Sequence, residues 1–267
     1  MTEVASGDGP AHRAPPVVRE ISFTDIVECL GAGMRDFRAA PLFGLFFGVV
    51  YAAAGWALLY LFYTLEVNYY VYPMATGFAM VAPFIAAGLY EVSRRLERGD
   101  PLSWTSVLTS VRTAGGKDLG WMVVVTTFAY IIWLDVAIAL YVIFYGLKPL
   151  SLYELIQAII TTPMGALFFV IGNTVGLALS LVVFSITAVS FPLLFDRDVD
   201  FVTAMITSVK TVLANPRPMI MWCAIIGGLF AISILSVFVA LIGVLPVLGH
   251  ATWHLYRRVI EDPPDTS

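Results

Sequence analysis

The sequence is poor in charged residues and in the residue types that carry most enzyme chemistry. Only 13% of the 267 residues are charged, whereas about a quarter are charged in ordinary globular proteins. The two cysteines, Cys29 and Cys223, suggest no disulfide framework, and there are three histidines in all. A Walker loop, a dinucleotide fingerprint, a Gly-x-Ser-x-Gly elbow and a Cys-x-x-Cys motif are all absent. We therefore expect no enzymatic activity, no cofactor and no nucleic-acid partner.

Hydrophobic residues are abundant instead, at 59% of the chain. Several apolar runs reach the length of about 20 residues that a helix needs to cross a membrane. We therefore expect an all-α polytopic membrane protein embedded in a lipid bilayer. Residues 1–20 are polar and lack the apolar core of a signal peptide. We predict disordered tails at 1–20 and 261–267 on either side of a single membrane domain at 21–260.

The apolar runs predict six transmembrane helices. The stretch 218–256 carries no charged residue and is too long for one crossing of a core about 30 Å thick. It therefore predicts a tight hairpin of two helices, whose turn is the boundary that the sequence defines least. The six helices are predicted at about 42–65, 72–92, 119–146, 163–195, 218–236 and 237–256.

The distribution of basic residues predicts the orientation of these helices. Fourteen of the fifteen Lys and Arg residues fall on one side of the six-helix topology, and Lys148 lies opposite. Because cytoplasmic segments are enriched in Lys and Arg, we expect both termini in the cytoplasm.

A short amphipathic segment precedes each of the three predicted hairpins. The segment 22–38 has apolar residues at helical spacing, and Ser22 with Asp25 resembles a capping box. A second segment is predicted to begin at Asp100 and Pro101 as N-cap and first helical residue. A third begins at 196–198, and an outer interfacial helix is predicted at about 150–161.

These segments belong to an internal repeat. The string TSVRT at 109–113 recurs as TSVKT at 207–211, and a more diverged copy surrounds Arg35. We predict three parallel repeats at about 22–98, 99–197 and 198–260, each an interfacial helix followed by a transmembrane hairpin. Alternating-access transporters commonly contain inverted repeats instead. Arg35, Arg112 and Lys210 occupy matching places and are candidate lipid or partner contacts, although basic residues at the cytoplasmic side also follow from topology alone.

Asp135 and Asn173 form a candidate polar site inside the membrane. The two residues fall at similar depth on the antiparallel third and fourth helices. A carboxyl group in a span is costly and often functional, for example as a proton or cation site. A protonated Asp135 hydrogen-bonded to Asn173 or Thr126 would instead have a structural role.

A second candidate group lies near the predicted inner leaflet. His250 and His254 are one helical turn apart, and Cys223 and Glu91 are predicted at similar depth. Imidazole, thiolate and carboxylate are ligands of transition metals, and a His pair can also bind haem. Two His at this spacing are a weak signal, however, and interfacial His residues beside Trp253 and Tyr256 are also typical headgroup anchors.

Small residues predict close helix packing elsewhere in the spans. Glycine lets two helix backbones approach closely in a membrane. The glycines that would do so are Gly172, Gly176, Gly227 and Gly228.

Three stretches carry a resemblance to a known family. They are PLFGLFFGVVYAAAGW, MVAPFIAAGLYEVSRRLERGDP and SFPLLFDRDVDFVTAM. The chain resembles, from about residue 20 to 260, an uncharacterised family of six-span bacterial membrane proteins, domain of unknown function 2189. The resemblance implies a bacterial inner-membrane location and transfers no catalytic residue. Some family members are loosely labelled as cytochrome c oxidase-like, but three histidines are too few for the haem and copper ligands of a catalytic oxidase subunit.

Two functions remain open from the sequence. The first is a non-enzymatic accessory or assembly factor that packs against another membrane complex. The second is a transporter or channel for a small solute or ion that uses Asp135 and Asn173. An intramembrane metalloenzyme using His250 and His254 is a third alternative.

Overall fold

A computed structural model describes residues 16–64, 77–114, 117–148 and 150–261. Nearly all of these residues are helical, which confirms an all-α membrane-protein fold. The predicted start of the second transmembrane helix at residue 72, the outer part of the first hairpin and most of both tails lie outside the described residues.

The described helices follow one another along the chain with short connections. A single turn of 3₁₀ helix at Ala79–Val81 precedes the third helix. The helices are α1 (Phe23–Ala39), α2 (Pro41–Thr64), α3 (Ala82–Arg98), α4 (Trp104–Ala114), α5 (Lys117–Tyr145), α6 (Leu152–Thr161), α7 (Pro163–Thr187), α8 (Ser190–Asp196), α9 (Phe201–Ala214), α10 (Pro216–Leu235) and α11 (Leu241–Val259).

The starts of the amphipathic helices test the capping predictions. The Ser22 side chain accepts from the backbone of Asp25, whose carboxylate accepts from Ser22 in return, so the capping box of α1 is confirmed. The second prediction is wrong, because α4 begins at Trp104 rather than at Asp100. Ser103 accepts a hydrogen bond from the backbone of Ser106 there and satisfies an amide of the first turn.

Two of the predicted spans differ in detail from the helices. The fourth is interrupted at Ala188 and Val189 between α7 and α8. The turn of the last hairpin lies at 236–240, where Val237 and Phe238 have positive φ angles of 52° and 64°. Such angles are rare for residues with a branched or bulky side chain. The indole N–H of Trp56 donates to the Val237 carbonyl and helps to hold this turn.

Four segments of the described chain are long and apolar enough to cross a membrane. They are Pro41–Leu61, Asp118–Tyr145, Pro163–Asp196 and Pro216–Leu235. The two remaining predicted spans correspond to α3 and α11, which carry charged residues in their last turns and are largely buried. The structure thus supports a multi-pass membrane protein with four clear candidate spans.

Helix α11 lies at the centre of the main core and contacts α1, α2 and α3. Close approach between these helices depends on glycine. A Cβ on Gly48 of α2 would overlap the carbonyl oxygen of Ile242. A Cβ on Gly33 of α1 would lie 2.6 Å from the backbone nitrogen of Ala251, and one on Gly249 would overlap Leu89 of α3 to within 2.5 Å. Because the neighbours of Gly48 and Gly33 are backbone atoms, larger residues at these two positions would force the helices apart.

The glycines that were expected to allow close packing have mostly open surroundings. A Cβ added at Gly172, Gly227 or Gly228 would meet no other atom of the described chain within 4 Å. A Cβ at Gly176 would lie 3.0 Å from the ring of Trp133. The prediction is therefore wrong for three of the four positions, since sequence does not reveal which face of a uniformly apolar helix meets a neighbour.

The two ends of the described chain are joined. Strand β1 (Val17–Val18) pairs antiparallel with β2 (Ile260–Glu261), and Arg19 forms an ion pair with Glu261. The side chain of Asn215 bridges the same region, accepting from the Ile21 amide and donating to the Arg19 carbonyl. Val17 and Val18, which fall within the predicted tail 1–20, thus form backbone contacts with the other end of the described chain.

The helices α5, α6 and α7 form a more peripheral part of the bundle. In the most apolar windows of the four candidate spans, 33% of residues are buried in Pro41–Leu61 and 17% in Pro216–Leu235. The corresponding fractions are 6% in Asp118–Tyr145 and 0% in Pro163–Asp196. We call α5, α6 and α7 the outer hairpin, and the packed group α1, α2, α3 and α11 the inner group.

Candidate functional site

A chain of hydrogen bonds connects three helices of the inner group. The Ser93 hydroxyl of α3 donates to Oδ2 of Asp36 on α1 at 2.7 Å. It also lies 2.8 Å from Nδ1 of His250 on α11. Nε2 of His254, one helical turn further along α11, lies 2.7 Å from the same Asp36 oxygen. We call these four residues the polar cluster.

Proton counting assigns the donors in the polar cluster. The Ser93 hydroxyl has one proton, which points to the Asp36 carboxylate, so Nδ1 of His250 must donate to the Ser93 oxygen. The other ring nitrogen of His250, Nε2, is then an acceptor. It is buried and has no hydrogen-bond partner among the described residues. A buried polar atom without a partner costs about 1–3 kcal/mol relative to a satisfied one.

Local packing explains why these side chains meet. His250 and His254 share one face of α11 because residues four apart lie one above the other on a helix. Gly33 and Gly249 let α1 and α3 approach that face closely. Burial alone would raise the pKa of Asp36, but the hydrogen bonds from His254 and Ser93 together lower the pKa below its ordinary value.

The predicted inner-leaflet group is divided by the structure. His250 and His254 lie together in the polar cluster, but the Glu91 carboxylate belongs to another group of contacts. It is almost fully buried and pairs with Arg94 and Arg95 at 2.5 and 2.6 Å. Ser110 of α4 donates to it at 2.9 Å. Glu91 therefore links α3 to α4.

Metal-binding geometry is not found in the described part of the chain. No group of three or more His, Cys, Asp or Glu side chains is placed there to hold a metal ion. Cys223 is a free, half-buried thiol on α10. The nitrogens that His250 and His254 would offer are partly engaged by Ser93 and Asp36.

Ion pairs surround the polar cluster at the ends of α1, α3 and α11. Nη1 of Arg258 bonds to carboxylate oxygens of both Asp25 and Glu28 at 2.5 Å. Nε of Arg257 bonds to Glu97 at 3.2 Å, and its Nη1 lies 3.7 Å from Asp196. Hydrogen bonds from Ser22, followed by the bond from Arg258, lower the pKa of Asp25 to about 2.

A pocket of about 720 Å³ opens beside this ion-pair network, between α1 and the end of α11. Its α1 wall includes Glu28, Cys29 and Arg35, and its α11 wall consists of His254, Arg257 and Arg258. His254 thus connects the pocket to the polar cluster. Burial raises the pKa of the Cys29 thiol to about 11, so this part of the wall is uncharged.

Asp135 and Asn173 both lie on exposed faces of the outer hairpin. Close contacts at two levels set the register of α5 and α7. Gly176 lies against Trp133, and Phe144 and Tyr145 pack on Phe168. The antiparallel register between these levels puts Asp135 and Asn173 at similar depth. The Asn173 amide donates to the Phe169 carbonyl of its own helix at 2.8 Å.

Arg35, Arg112 and Lys210 differ in their surroundings. All three are exposed. Arg35 lines the pocket, whereas Arg112 on α4 and Lys210 on α9 do not. The matching sequence positions therefore have unequal structural roles.

Comparison with known proteins gives one match. Residues 71–196 match the family of predicted integral membrane proteins named domain of unknown function 2189. This confirms the family that the sequence resembles. No curated protein and no solved structure matches the chain.

The matched segment covers only part of the sites described above. Glu91, Ser93, Asp135 and Asn173 lie within the segment that the family describes. Asp36, His250 and His254 lie outside it. The polar cluster is therefore formed between the family segment and helices on either side of it.

Sequence reasoning missed Asp36 and Ser93 as partners of the histidines. In the sequence, Asp36 is one of the polar residues of the amphipathic segment 22–38, and no motif marks Ser93. The only available signal is weak: a hydroxyl-bearing residue lies at the end of an apolar run in α3, and an acid lies on α1. Their pairing depends on contacts between residues 57 and 157 positions apart in the chain.

Proposed function

We propose that this protein is a non-enzymatic component of the bacterial inner membrane that packs against another membrane protein as an accessory or assembly factor. The observation that carries the proposal is the exposure of Asp135 on α5. A carboxyl group that faces hydrocarbon is expensive, whether ionised or protonated. A partner that supplies a hydrogen-bond donor at this depth removes that cost.

The partner is expected to be a different protein with a basic or donor-bearing transmembrane helix. The chain has no Lys or Arg in 118–147 or in 149–196, so the outer hairpin of a second copy offers no positive charge at the depth of Asp135. Much of the apolar surface of α5 and α7 is exposed as well, including Ile131, Ile138 and Val170. This surface is available for packing around the central polar contact.

We also propose that the chain crosses the membrane six times, with both termini in the cytoplasm. The described elements support it through a recurring order: a short amphipathic helix, a long apolar helix and a returning helix occur in sequence three times. In this arrangement α3 and α11 are the second and sixth crossings, covered by the other helices of the inner group. The three units correspond to the predicted parallel repeats.

A transporter is the second candidate, because Asp135 and Asn173 lie at similar depth on neighbouring helices. Transport through the isolated chain requires a route that leads to these side chains. The described pocket lies elsewhere, at the end of α1 and α11. Unchanged growth and solute uptake in an Asp135→Asn strain would contradict the transporter hypothesis.

Site-specific photo-crosslinking in native membranes tests the accessory hypothesis. A photoreactive residue replaces Ile131, one helical turn before Asp135, or Val49, an exposed residue of α2 that is the matched control. We expect a discrete protein adduct from position 131 that is weakened by Asp135→Asn and has no counterpart at position 49. Mass spectrometry of the adduct should identify a partner with a basic or donor side chain within its span.

Two results would contradict the accessory hypothesis. Adducts with lipid alone at position 131 would mean that the outer hairpin faces the bilayer. Adducts with a second copy of the chain would mean a homo-oligomer. Either result would shift the preferred function to transport and make Asp135 the first residue to test in uptake assays.

A further inference from the structure

Basic side chains outnumber acidic ones among the residues that line the pocket between α1 and α11. Three guanidinium groups, those of Arg35, Arg257 and Arg258, line it together with the imidazole of His254. Glu28 is the one carboxylate among its lining residues. Two of the guanidinium groups already have acidic partners, so the number of unused hydrogen-bond donors decides what the pocket can bind.

The paired arginines retain donors that their acidic partners do not use. A guanidinium has five N–H groups. The two short bonds of Arg258 to Asp25 and Glu28 both involve Nη1, which leaves Nε and Nη2. The bond of Arg257 to Glu97 involves Nε, and Nη1 faces Asp196. The acidic partners therefore hold both side chains in place while part of each guanidinium remains available.

Arg35 supplies charge that is not compensated in the described part of the chain. No ion pair there involves its guanidinium, although acids pair with Arg257 and Arg258 close by. Its Nη1 lies beside the small residue Gly31, where an added Cβ would be 3.5 Å away, and the side chain is exposed. The carboxylate of Glu28 is held by Arg258, which shares its one positive charge between Glu28 and Asp25.

We propose that this pocket binds a phosphate group, with Arg35 as the principal ligand and Arg257 and Arg258 as oriented secondary donors. Guanidinium groups match phosphate oxygens in geometry and form charge-assisted hydrogen bonds with them. The group belongs either to the headgroup of an anionic lipid or to a free phosphate. Basic pockets at the cytoplasmic ends of membrane helices commonly accept lipid headgroups.

The sequence repeat provides matched controls for this proposal. Arg112 and Lys210 occupy the places equivalent to Arg35 in the other two repeats and are also exposed. Neither residue lines the pocket. Their substitution removes the same charge from a similar amphipathic helix without changing the proposed site.

The test measures lipid binding to the full-length protein in a neutral detergent. Phosphatidylglycerol is titrated and counted as bound molecules by native mass spectrometry, with phosphatidylcholine as the lipid of no net charge. We expect Arg35→Gln to weaken phosphatidylglycerol binding about tenfold. Arg112→Gln and Lys210→Gln should change it by less than about twofold, as expected for exposed charges. Arg35→Lys should restore part of the affinity.

A competition experiment distinguishes the two sources of the phosphate group. Displacement of phosphatidylglycerol by inorganic phosphate would support a site for the phosphate group alone. Loss of binding in Arg35→Gln without displacement by inorganic phosphate would support a lipid site that also contacts the acyl chains. Equal weakening by all three substitutions, or equal binding of phosphatidylcholine, would overturn the proposal.

Folding of the variant is checked separately. Because the Arg35 side chain is exposed and has no ion pair in the described chain, Arg35→Gln should have a melting temperature within about 2 °C of that of the unsubstituted protein when lipid is absent.

Discussion

The inner group and the outer hairpin contain similarly apolar long helices but differ in what surrounds those helices. In the inner group, α2 packs on α11 through glycine contacts, and α1, α3 and α11 are joined by the polar cluster and its ion pairs. In the outer hairpin, few residues of α5 and none in the most apolar window of α7 are buried. Its polar residues Asp135 and Asn173 are exposed.

This contrast indicates that the inner group stabilises the fold, whereas the outer hairpin is exposed to the bilayer or to another protein. Without a hydrophobic force between helices in lipid, association depends on close van der Waals packing and on hydrogen bonds. The inner group has both within one chain. The outer hairpin leaves most of its apolar helix surface exposed, and the bilayer or another protein must cover that surface. Substitutions in the inner group should therefore mainly lower stability, and substitutions in the outer hairpin should mainly change contacts with other molecules.

The largest effect is expected where two helix backbones meet in the inner group. Gly48→Val places a side chain against the Ile242 carbonyl and must separate α2 from α11. We expect a loss of about 3 kcal/mol in the free energy of unfolding, at the upper end for overpacked cores. Thermal unfolding in detergent measures the loss. Gly227→Val, at a position where a Cβ meets nothing within 4 Å, is the control, and an equal loss in both variants would contradict the packing argument.

A smaller effect is expected from the polar cluster. Ser93→Ala removes the hydroxyl between Asp36 and His250 and leaves the half-buried Asp36 and the buried His250 without that bond. The expected loss is about 2 kcal/mol, because unsatisfied buried groups keep their desolvation cost. Ser185→Ala in α7 is the matched control, since the Ser185 hydroxyl donates to the Leu181 carbonyl of its own helix. Identical melting of the two variants would show that the cluster does not hold the inner group together.

Acid should weaken the attachment of α1 to α11. The pKa of Asp25 is lowered from 3.8 to about 2, and the pKa of Asp36 is also lowered. A lowered pKa means that the folded state gains stability above the ordinary pKa and loses it as the pH falls through the folded value. After allowance for solvent screening at a partly exposed site, the loss attributable to Asp25 is about 1 kcal/mol.

Melting temperatures measured between about pH 5 and pH 2 test this expectation. Asp25→Asn should be less stable than the unsubstituted protein at pH 5 and should show a smaller further loss on acidification. An unchanged pH dependence in this variant would mean that Asp25 does not contribute.

The smallest effect on stability is expected in the outer hairpin. Asp135→Asn changes an exposed side chain and should alter the free energy of unfolding of the detergent-solubilised protein by less than about 0.5 kcal/mol. The same substitution should reduce crosslinking to the proposed partner. A large loss of stability would instead indicate that Asp135 supports the fold of the chain itself.

The sequence predicted helix positions well where composition changes sharply. The predicted first span at 42–65 corresponds to Pro41–Thr64, and the predicted third at 119–146 corresponds to Lys117–Tyr145. Charged or capping residues bound these runs. The prediction failed at the start of α4, where Asp100 and Pro101 gave a plausible helix start but the helix begins only at Trp104. The Gly99 backbone, with φ of 71°, ends α3 just before this segment.

The candidate sites were less predictable than the helices. Depth along a helix follows from counting residues, so the similar depth of Asp135 and Asn173 could be expected. Whether a side chain faces a neighbour or the surroundings cannot be read from an apolar helix that has no polar face. The histidines could be identified from their spacing, but their partners Asp36 and Ser93 could not, because these contacts join helices that are distant in the sequence.

The amino-acid sequence by itself determined that this is a helical membrane protein, because long apolar runs cannot be accommodated otherwise and every backbone polar group in lipid must be satisfied within a helix. It also determined the capping of α1 by Ser22 and Asp25, which depends on neighbouring residues, and it carries the resemblance of residues 71–196 to a family of predicted integral membrane proteins. Only the tertiary structure decided which helix lies at the centre, that Arg35 rather than Arg112 or Lys210 lines a pocket, and that His250 and His254 contact Ser93 and Asp36. These properties depend on how helices rotate and approach one another, which in the inner group is decided by a few glycine contacts between distant parts of the chain.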